Sequence, residues 1–359
     1  DYTDGTASIL LEPQSTNLVT YSEDFSQWTN TRSSDLIGFT SPNGTSNATK
    51  LISDTTASSS HIIKSTTFSI SSGQKYTYSV FLKANQLDYA RVVFTDTAVS
   101  KLLSVYFDLT SGTVGTTSSG STATLDNANI EDFGNGWFKC SVSGDLDTAT
   151  TAQARVYLAD GDNSSSFNGD GTSGIHIFGA QVEALPYATS YIPTSGVIAT
   201  RLEDRVTGAG DATTFNSTEG VLYVEMASLS NTVASNYISI SDGTYNNRLS
   251  IFFTNGTNII RAFYVNNGAV QVNKQFTVSD ITEFHKVAFK YKENDFALWI
   301  DGVEVGTDFI GSTIPNGTLT KLSFSEINTT ANAFKGKVKS VIAFDTALTD
   351  AELTCLTTI

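Results

Sequence analysis

Phe284-His285-Lys286-Val287-Ala288-Phe289-Lys290-Tyr291, then Lys292-Glu293-Asn294-Asp295, then Phe296-Ala297-Leu298-Trp299-Ile300-Asp301-Gly302 is the stretch that decides the fold. Two strand-like runs flank a polar turn, and an Asp-Gly pair closes the second, which is the pattern of a β-hairpin. Strand signals of the same kind recur about every ten residues, separated by Ser, Gly, Asn and Asp clusters, as in an antiparallel sandwich. Tyr76-Thr77-Tyr78-Ser79-Val80-Phe81-Leu82, Ala90-Arg91-Val92-Val93-Phe94, Leu103-Ser104-Val105-Tyr106-Phe107-Asp108 and Ala154-Arg155-Val156-Tyr157-Leu158 are examples. Helix is predicted only at Thr349-Asp350-Ala351-Glu352-Leu353, where a capping residue opens one or two turns.

The composition agrees. Thr, Ser, Gly and Asn dominate and only 16% of the residues are charged, so the chain is β-rich with many turns. At 359 residues it exceeds the size at which one core stops growing, and two domains are expected. The first runs over 1–195, a polar linker over 196–213, and the second over 214–359, opening at Gly220-Val221-Leu222-Tyr223-Val224-Glu225-Met226. The expected architecture is all-β, two antiparallel β-sandwich (jelly-roll) domains in series, with no internal repeat between them.

A net charge of −15 repels phosphate backbones and anionic lipid, which argues against nucleic acid and against membrane surfaces. No apolar run approaches the roughly 20 residues that span a bilayer, so no membrane insertion is expected. Asp1-Tyr2-Thr3-Asp4 is not a signal-peptide start, and the chain is expected to be a mature product or a fragment of a longer one. Cys140 and Cys355 are the two cysteines, read as free and mostly buried thiols.

The hairpin resembles the one at the centre of laminin-G-like, concanavalin-A-like jelly rolls. The later run Phe334-Lys335-Gly336-Lys337-Val338-Lys339-Ser340-Val341-Ile342-Ala343-Phe344-Asp345, with Ala347-Leu348-Thr349-Asp350-Ala351-Glu352-Leu353, resembles that family's closing strand and short helix. Phe284 stands where the family often has Trp. The first half resembles carbohydrate-binding-module-like jelly rolls of phage tail fibres and host-recognition proteins. It does so through Leu10-Leu11-Glu12-Pro13-Gln14-Ser15-Thr16-Asn17-Leu18, Phe133-Gly134-Asn135-Gly136-Trp137-Phe138-Lys139 and Ala188-Thr189-Ser190-Tyr191-Ile192-Pro193-Thr194. These resemblances imply a non-catalytic, lectin-like protein that recognises a poly- or oligosaccharide on a cell surface. They place it outside the cell or on a virion surface. Tail fibres are commonly trimeric, so a homo-oligomer is implied, although no heptad repeat or collagen-like stalk is present.

The catalytic alternatives find little support in the residues. Glycosidases need two carboxylates across a sugar, and no Glu-x-Asp-x-x-Glu run occurs. There is no Gly-x-Ser-x-Gly elbow, and His61, His176 and His285 are the only imidazoles, each flanked by strand-like residues. A lyase or hydrolase of jelly-roll fold remains the alternative, and a structural adhesion module the blander one.

A sugar presents an apolar C–H face and a ring of hydroxyls, so sites pair aromatics with planar polar groups. Tyr89 with Arg91 and Tyr157 with Arg155 meet that test, each pair sharing one strand face by the period of two. Trp28, near a strand end, is a further candidate. In the second half Tyr245, Asn247 and Arg248 form a polar loop entering a strand, and Arg261 lies on the next. The competing reading of each cluster is an ordinary half-exposed sheet face.

Calcium is the expected cofactor if there is one. Asp160, Asp162, Asn168 and Asp170 place hard oxygen ligands on a Gly-rich loop, although Asp, Asn and Gly also serve tight turns. The carbohydrate-module resemblance adds Glu23, Asp24 and Glu183 as ligands of a structural calcium near the N-terminal strand.

Overall fold

The computed structural model describes residues 7–231, 235–254, 256–308, 310–327, 329 and 332–359. It is all-β apart from one α-helix and a single short 3-10 turn among the described residues, and its strands pair antiparallel. The chain divides into two compact units, one of Gln14–Leu202 and one of Glu203–Ile359 with the described part of Asp1–Pro13.

This division departs from the expected boundaries. Ile9–Leu11 adds an edge strand to the C-terminal unit by pairing with Gly336–Phe344, and Leu11 enters that unit's core. The residues read as a linker are divided between the units. Ala199–Arg201 pairs with Ser15–Asn17 in the N-terminal unit. Asp204 and Ala209 hydrogen-bond to Glu12 and Leu322 in the C-terminal one. Short pairings of this kind satisfy backbone groups without an alternating apolar pattern, which is why composition alone marks the stretch as loop.

In the N-terminal unit one sheet runs Thr113–Ser119, Leu102–Asp108, Tyr89–Thr95, Thr151–Ala159, Ile62–Lys64, Thr29–Thr31 in order, with Phe68–Ser69 also against Thr151–Ala159. The other runs Thr124–Asp132, Trp137–Asp145, Tyr76–Lys83, Gly174–Glu183, Ala48–Ser53, Ser33–Phe39. Alternate residues such as Val92, Phe94, Val105, Phe107, Val156, Tyr78, Leu82, Val142 and Ile177 fill the space between the sheets. Trp28 lies in this core, 6% exposed, with its Nε1 donating to the Tyr21 carbonyl at 2.8 Å. It therefore offers no open ring face, contrary to its candidacy as a sugar platform.

In the C-terminal unit a six-stranded sheet, Ile9–Leu11, Gly336–Phe344, Glu219–Ser228, His285–Lys292, Phe296–Ile300, Val303–Asp308, faces a five-stranded one. The second sheet is Ala269–Thr277, Ile259–Asn266, Arg248–Phe253, Asn236–Ser241, Lys321–Ser323. The opening hairpin is apolar on both faces for a reason. Val287, Phe289, Leu298 and Ile300 point into the inter-sheet core, while Ala288, Ala297 and Trp299 lie under Leu353 of the C-terminal helix. That helix, Asp350–Thr357, carries the predicted capping box between Thr349 and Glu352. Cys140 is buried, whereas Cys355 is exposed on this helix instead of buried.

The Asp-Gly pair ends the hairpin by turning into a third strand. Asp301 and Gly302 both have positive φ, 50° and 82°, as a two-residue primed turn requires. His285 braces this turn: its Nδ1 lies 2.6 Å from Asp301 Oδ2 and its Nε2 2.9 Å from the Asp280 carbonyl, while Lys286 N–H donates to Asp301 Oδ1. The His and the Asp-Gly of the motif are one structural device. Among the described residues no helix is long and apolar enough to cross a membrane.

Candidate functional site

The five-stranded sheet of the C-terminal unit turns Ile238, Ile240, Leu249, Ile251, Phe253, Ile260, Ala262 and Tyr264 to the core. Period-2 alternation therefore sends Tyr237, Arg248, Ser250, Phe252, Arg261 and Phe263 to the opposite face. Register brings them together, since Phe252 lies opposite both Tyr237 and Arg261, and Ser250 opposite Phe263.

The result is a continuous row of six side chains. Tyr237 and Phe252 stack with centroids 3.9 Å apart and planes 12° from parallel. The Arg261 guanidinium sits 5.7 Å from the Phe252 ring and 5.8 Å from that of Phe263. Arg248 follows, 5.2 Å from Phe263 and 5.2 Å from Tyr245. Each such contact contributes about 0.5–1 kcal/mol at a partly exposed site.

Polar partners fix both cations. Arg261 Nε donates to Asn273 Oδ1 at 2.6 Å, which leaves the terminal nitrogens of its fork clear of that bond. Arg248 Nη2 lies 3.2 Å from Glu326 Oε1, its Nη1 donates to the Tyr245 carbonyl, and its Nε is buried with no hydrogen-bond partner among the described residues. The Glu326 Oε2 in turn accepts from Asn332. Burial and then the Glu326 charge raise the Tyr237 phenol above its usual range, so the phenol stays neutral and able to donate. Tyr245 is 49% exposed and Tyr237, Arg261 and Phe263 are half-buried, whereas Phe252 and Arg248 are buried, so the row meets solvent at Tyr245, Tyr237, Arg261 and Phe263. Asn247 does not join it: its amide donates to Asp242 and its oxygen accepts from the Asn267 N–H, which makes it a turn brace.

The N-terminal candidates also meet. Arg91 lies opposite both Tyr106 and Tyr157, and its guanidinium sits 5.6 Å and 5.0 Å from the two rings. Arg91 Nε donates to Ser104 at 2.7 Å, Arg155 to Gln153, and Tyr89 to Asp108. This cluster is largely closed, however. The loop after Thr151–Ala159 folds back so that Ser165 Oγ meets the Tyr106 hydroxyl at 2.9 Å, and both tyrosines are buried. Asp162 anchors the same loop on the Thr116 N–H and hydroxyl. A side chain at Gly115 would put its Cβ 2.4 Å from that carboxylate, so the Asp162 side chain would have to shift to admit it.

The carboxylates proposed for calcium are turned to local donors. Asp160 accepts from Ser164, and Asn168 from the Ser58 N–H. Asp170 accepts from the Thr172 and Ser173 N–H groups and the Ser173 hydroxyl, which hold its carboxyl far below the usual range. Glu23 accepts from Asn47 and Tyr191, Asp24 from Ser26, and the fully buried Glu183 from Ser15 and Thr189. Among the described residues no three of His, Cys, Asp and Glu converge to hold a metal.

Tyr237 and Phe252 of the row, and Asn273 and Glu326 that brace its arginines, are the residues that sequence reading missed. Alternation marks Tyr237 and Phe252 as outward-facing, but nothing in a single sequence says which strand lies beside which.

Residues 212–354 match the third laminin G family, described as the concanavalin A-like lectin/glucanases superfamily. That span takes in the hairpin, the closing strand and every residue of the row. No curated protein matches the chain in sequence. Among solved structures, the carbohydrate-binding module of the Ruminococcus gnavus IT-sialidase bound to α2,3-sialyllactose is 16% identical, with a TM-score of 0.36, over 43% of this chain and 96% of its own. Domain 4 of the Geobacillus stearothermophilus arabinanase AbnA, in complex with arabinotriose, is 14% identical, with a TM-score of 0.36, over 48% and 80%. Mouse laminin α1 domains LG4-5 are 11% identical, with a TM-score of 0.28, over 80% and 86%.

Proposed function

We propose that this chain is a non-catalytic carbohydrate-binding protein whose site is the outward face of the five-stranded sheet in the C-terminal unit. One observation carries the reading: the row Tyr237, Phe252, Arg261, Phe263, Arg248, Tyr245 interleaves rings with fixed guanidinium groups, and Tyr237, Arg261, Phe263 and Tyr245 in it reach solvent. Rings accept the C–H face of a sugar, while the Arg261 fork and the Asn273 amide address its hydroxyls. The lectin side of the family match over 212–354 supports the same reading.

The resemblance of residues 10–195 to modules of phage tail fibres supports a narrower role, recognition of a host-surface glycan by a protein acting outside the cell or on a virion. In that setting the chain works as one part of a larger, oligomeric assembly. The test is the full chain on an array of bacterial-surface and marine polysaccharides. Retention on at least one glycan is expected, and no retention on any refutes the proposal. Release of reducing or unsaturated ends from the same panel would replace the binder with an enzyme.

A further inference from the structure

The N-terminal unit has a second outward sheet face, on the sheet that contains Tyr76–Lys83 and Gly174–Glu183. Leu51, Leu82, Ile175, Ile177 and Cys140 turn inward from it to the core. Their neighbours Lys50, Lys83, His176 and Trp137 therefore point out.

Register lines these residues up directly. Trp137 lies opposite Lys83, Lys83 opposite His176, His176 opposite Lys50, and Lys50 opposite Leu36, a straight row across five strands. The two lysines face His176 from either side and not each other, in a chain that carries 21 Lys and Arg against 36 Asp and Glu. Neither lysine has a carboxylate partner among the described residues. Lys83 Nζ donates to the Asn135 carbonyl at 2.6 Å and Lys50 Nζ to the Thr172 carbonyl at 2.9 Å, so each keeps further N–H groups to give. Burial, and after it the charges of Lys83 and Lys50, push the His176 imidazole below its ordinary pKa.

The row has an apolar flank. The Phe39 ring lies 4.6 Å from the His176 ring and Leu36 is 53% exposed, while Trp137, 6.3 Å from His176, is buried in a cluster with Ala48, Phe81 and Phe178. Asn85 adds an amide, 3.1 Å from His176 Nε2.

We propose that this face is an additional binding site, for an oligosaccharide carrying carboxylate or sulfate groups. Lys50 and Lys83 take the anionic groups as charge-assisted hydrogen bonds, and Phe39, against the His176 ring between them, supports the C–H face of the sugar, with Leu36 extending the apolar surface beyond Lys50. Two strand spacings separate the lysines, about 9.5 Å, so groups on neighbouring sugar units reach both where a single small anion would not. The site is on the other unit from the aromatic row, and it stands or falls independently of the function proposed for that row.

Affinity electrophoresis of the full chain through gels containing dextran sulfate, polygalacturonate or neutral dextran tests it. Retardation by at least one acidic polymer is expected, with the responding polymer identifying the anion, and K50Q/K83Q is expected to weaken it at least tenfold. K64Q/K292Q, which removes the same charge elsewhere, should leave retardation intact. Each lysine contributes one exposed hydrogen bond to a carbonyl, so the melting temperature of K50Q/K83Q should change little. Equal retardation of K50Q/K83Q and wild type, equal loss in K64Q/K292Q, or retardation by dextran as strong as by the acidic polymers overturns the proposal. Loss in R261A with none in K50Q/K83Q also overturns it, by moving acidic-sugar binding to the aromatic row.

Discussion

Replacing Arg261 by alanine separates a binding row from an ordinary sheet face. In the free protein the change removes two ring contacts, at 5.7 Å and 5.8 Å, and the hydrogen bond to Asn273. Each ring contact contributes about 0.5–1 kcal/mol at this half-buried site, and the hydrogen bond, facing solvent, adds about 0.5 kcal/mol. The expected loss is about 1.5–2.5 kcal/mol. At about 2–4 °C per kcal/mol for a unit of this size, the melting transition should fall by about 3–10 °C. Binding should fall further than stability, because the fork that meets the sugar and the spacer between Phe252 and Phe263 go together. At least a tenfold rise in Kd is expected, equivalent to about 1.4 kcal/mol. Arg261→Lys keeps the charge but loses the planar fork, so it should recover part of the stability and little of the affinity. Calorimetric melting and titration with the best-retained glycan measure both quantities. Affinity of R261A within twofold of wild type, together with the expected drop in melting temperature, would show that the row only holds the sheet together.

Three further outcomes follow from the same geometry. Asp301→Ala strands the buried His285 and the Lys286 N–H, and should cost about 2–4 kcal/mol in urea unfolding, with Asp301→Asn milder because it retains an acceptor and tolerates the left-handed turn. The Thr122 hydroxyl and the Lys101 ammonium hold the Asp147 carboxyl at about 2, below its ordinary 3.8. A depressed carboxylate stabilises the fold above its unfolded pKa and ceases to do so as pH falls through the folded one. The stability gap between wild type and Asp147→Asn should therefore be full at pH 6 and close between about pH 4 and 2, and an unchanged gap at pH 2 would refute the assignment. A thiol reagent should titrate Cys355 rapidly in the native chain and Cys140 only after denaturation, since burial closes off Cys140 and raises its pKa; two fast thiols would contradict the packing.

Much of the fold is legible along the chain. The hairpin at Phe284–Gly302 announces itself because its turn residues and apolar runs are local, and the Thr349 to Glu352 capping box is a four-residue signal. The pairing of Tyr89 with Arg91 and of Arg155 with Tyr157 is readable for the same reason, since two residues on one strand share a face whatever lies beside them. Whether such a pair is open or closed is not local. Ser165 covers Tyr106 through a loop that a sequence presents only as Asp, Gly, Asn and Ser.

Alternation of side chains, turn chemistry and capping thus established an all-β chain of sandwiches and the identity of each outward-facing residue. Tertiary structure alone decided which of those residues are neighbours. Tyr237, Phe252, Arg261 and Phe263 come from three strands, and Lys50, His176 and Lys83 from three others, and each group exists only through register. Register belongs to pairs of strands, consecutive in the chain for the aromatic row and roughly a hundred residues apart for the lysine row, and sliding one strand by a single residue would send its side chains to the opposite face. The unit boundary was decided the same way, by Leu11 finding its core beside Val338, hundreds of residues along the chain.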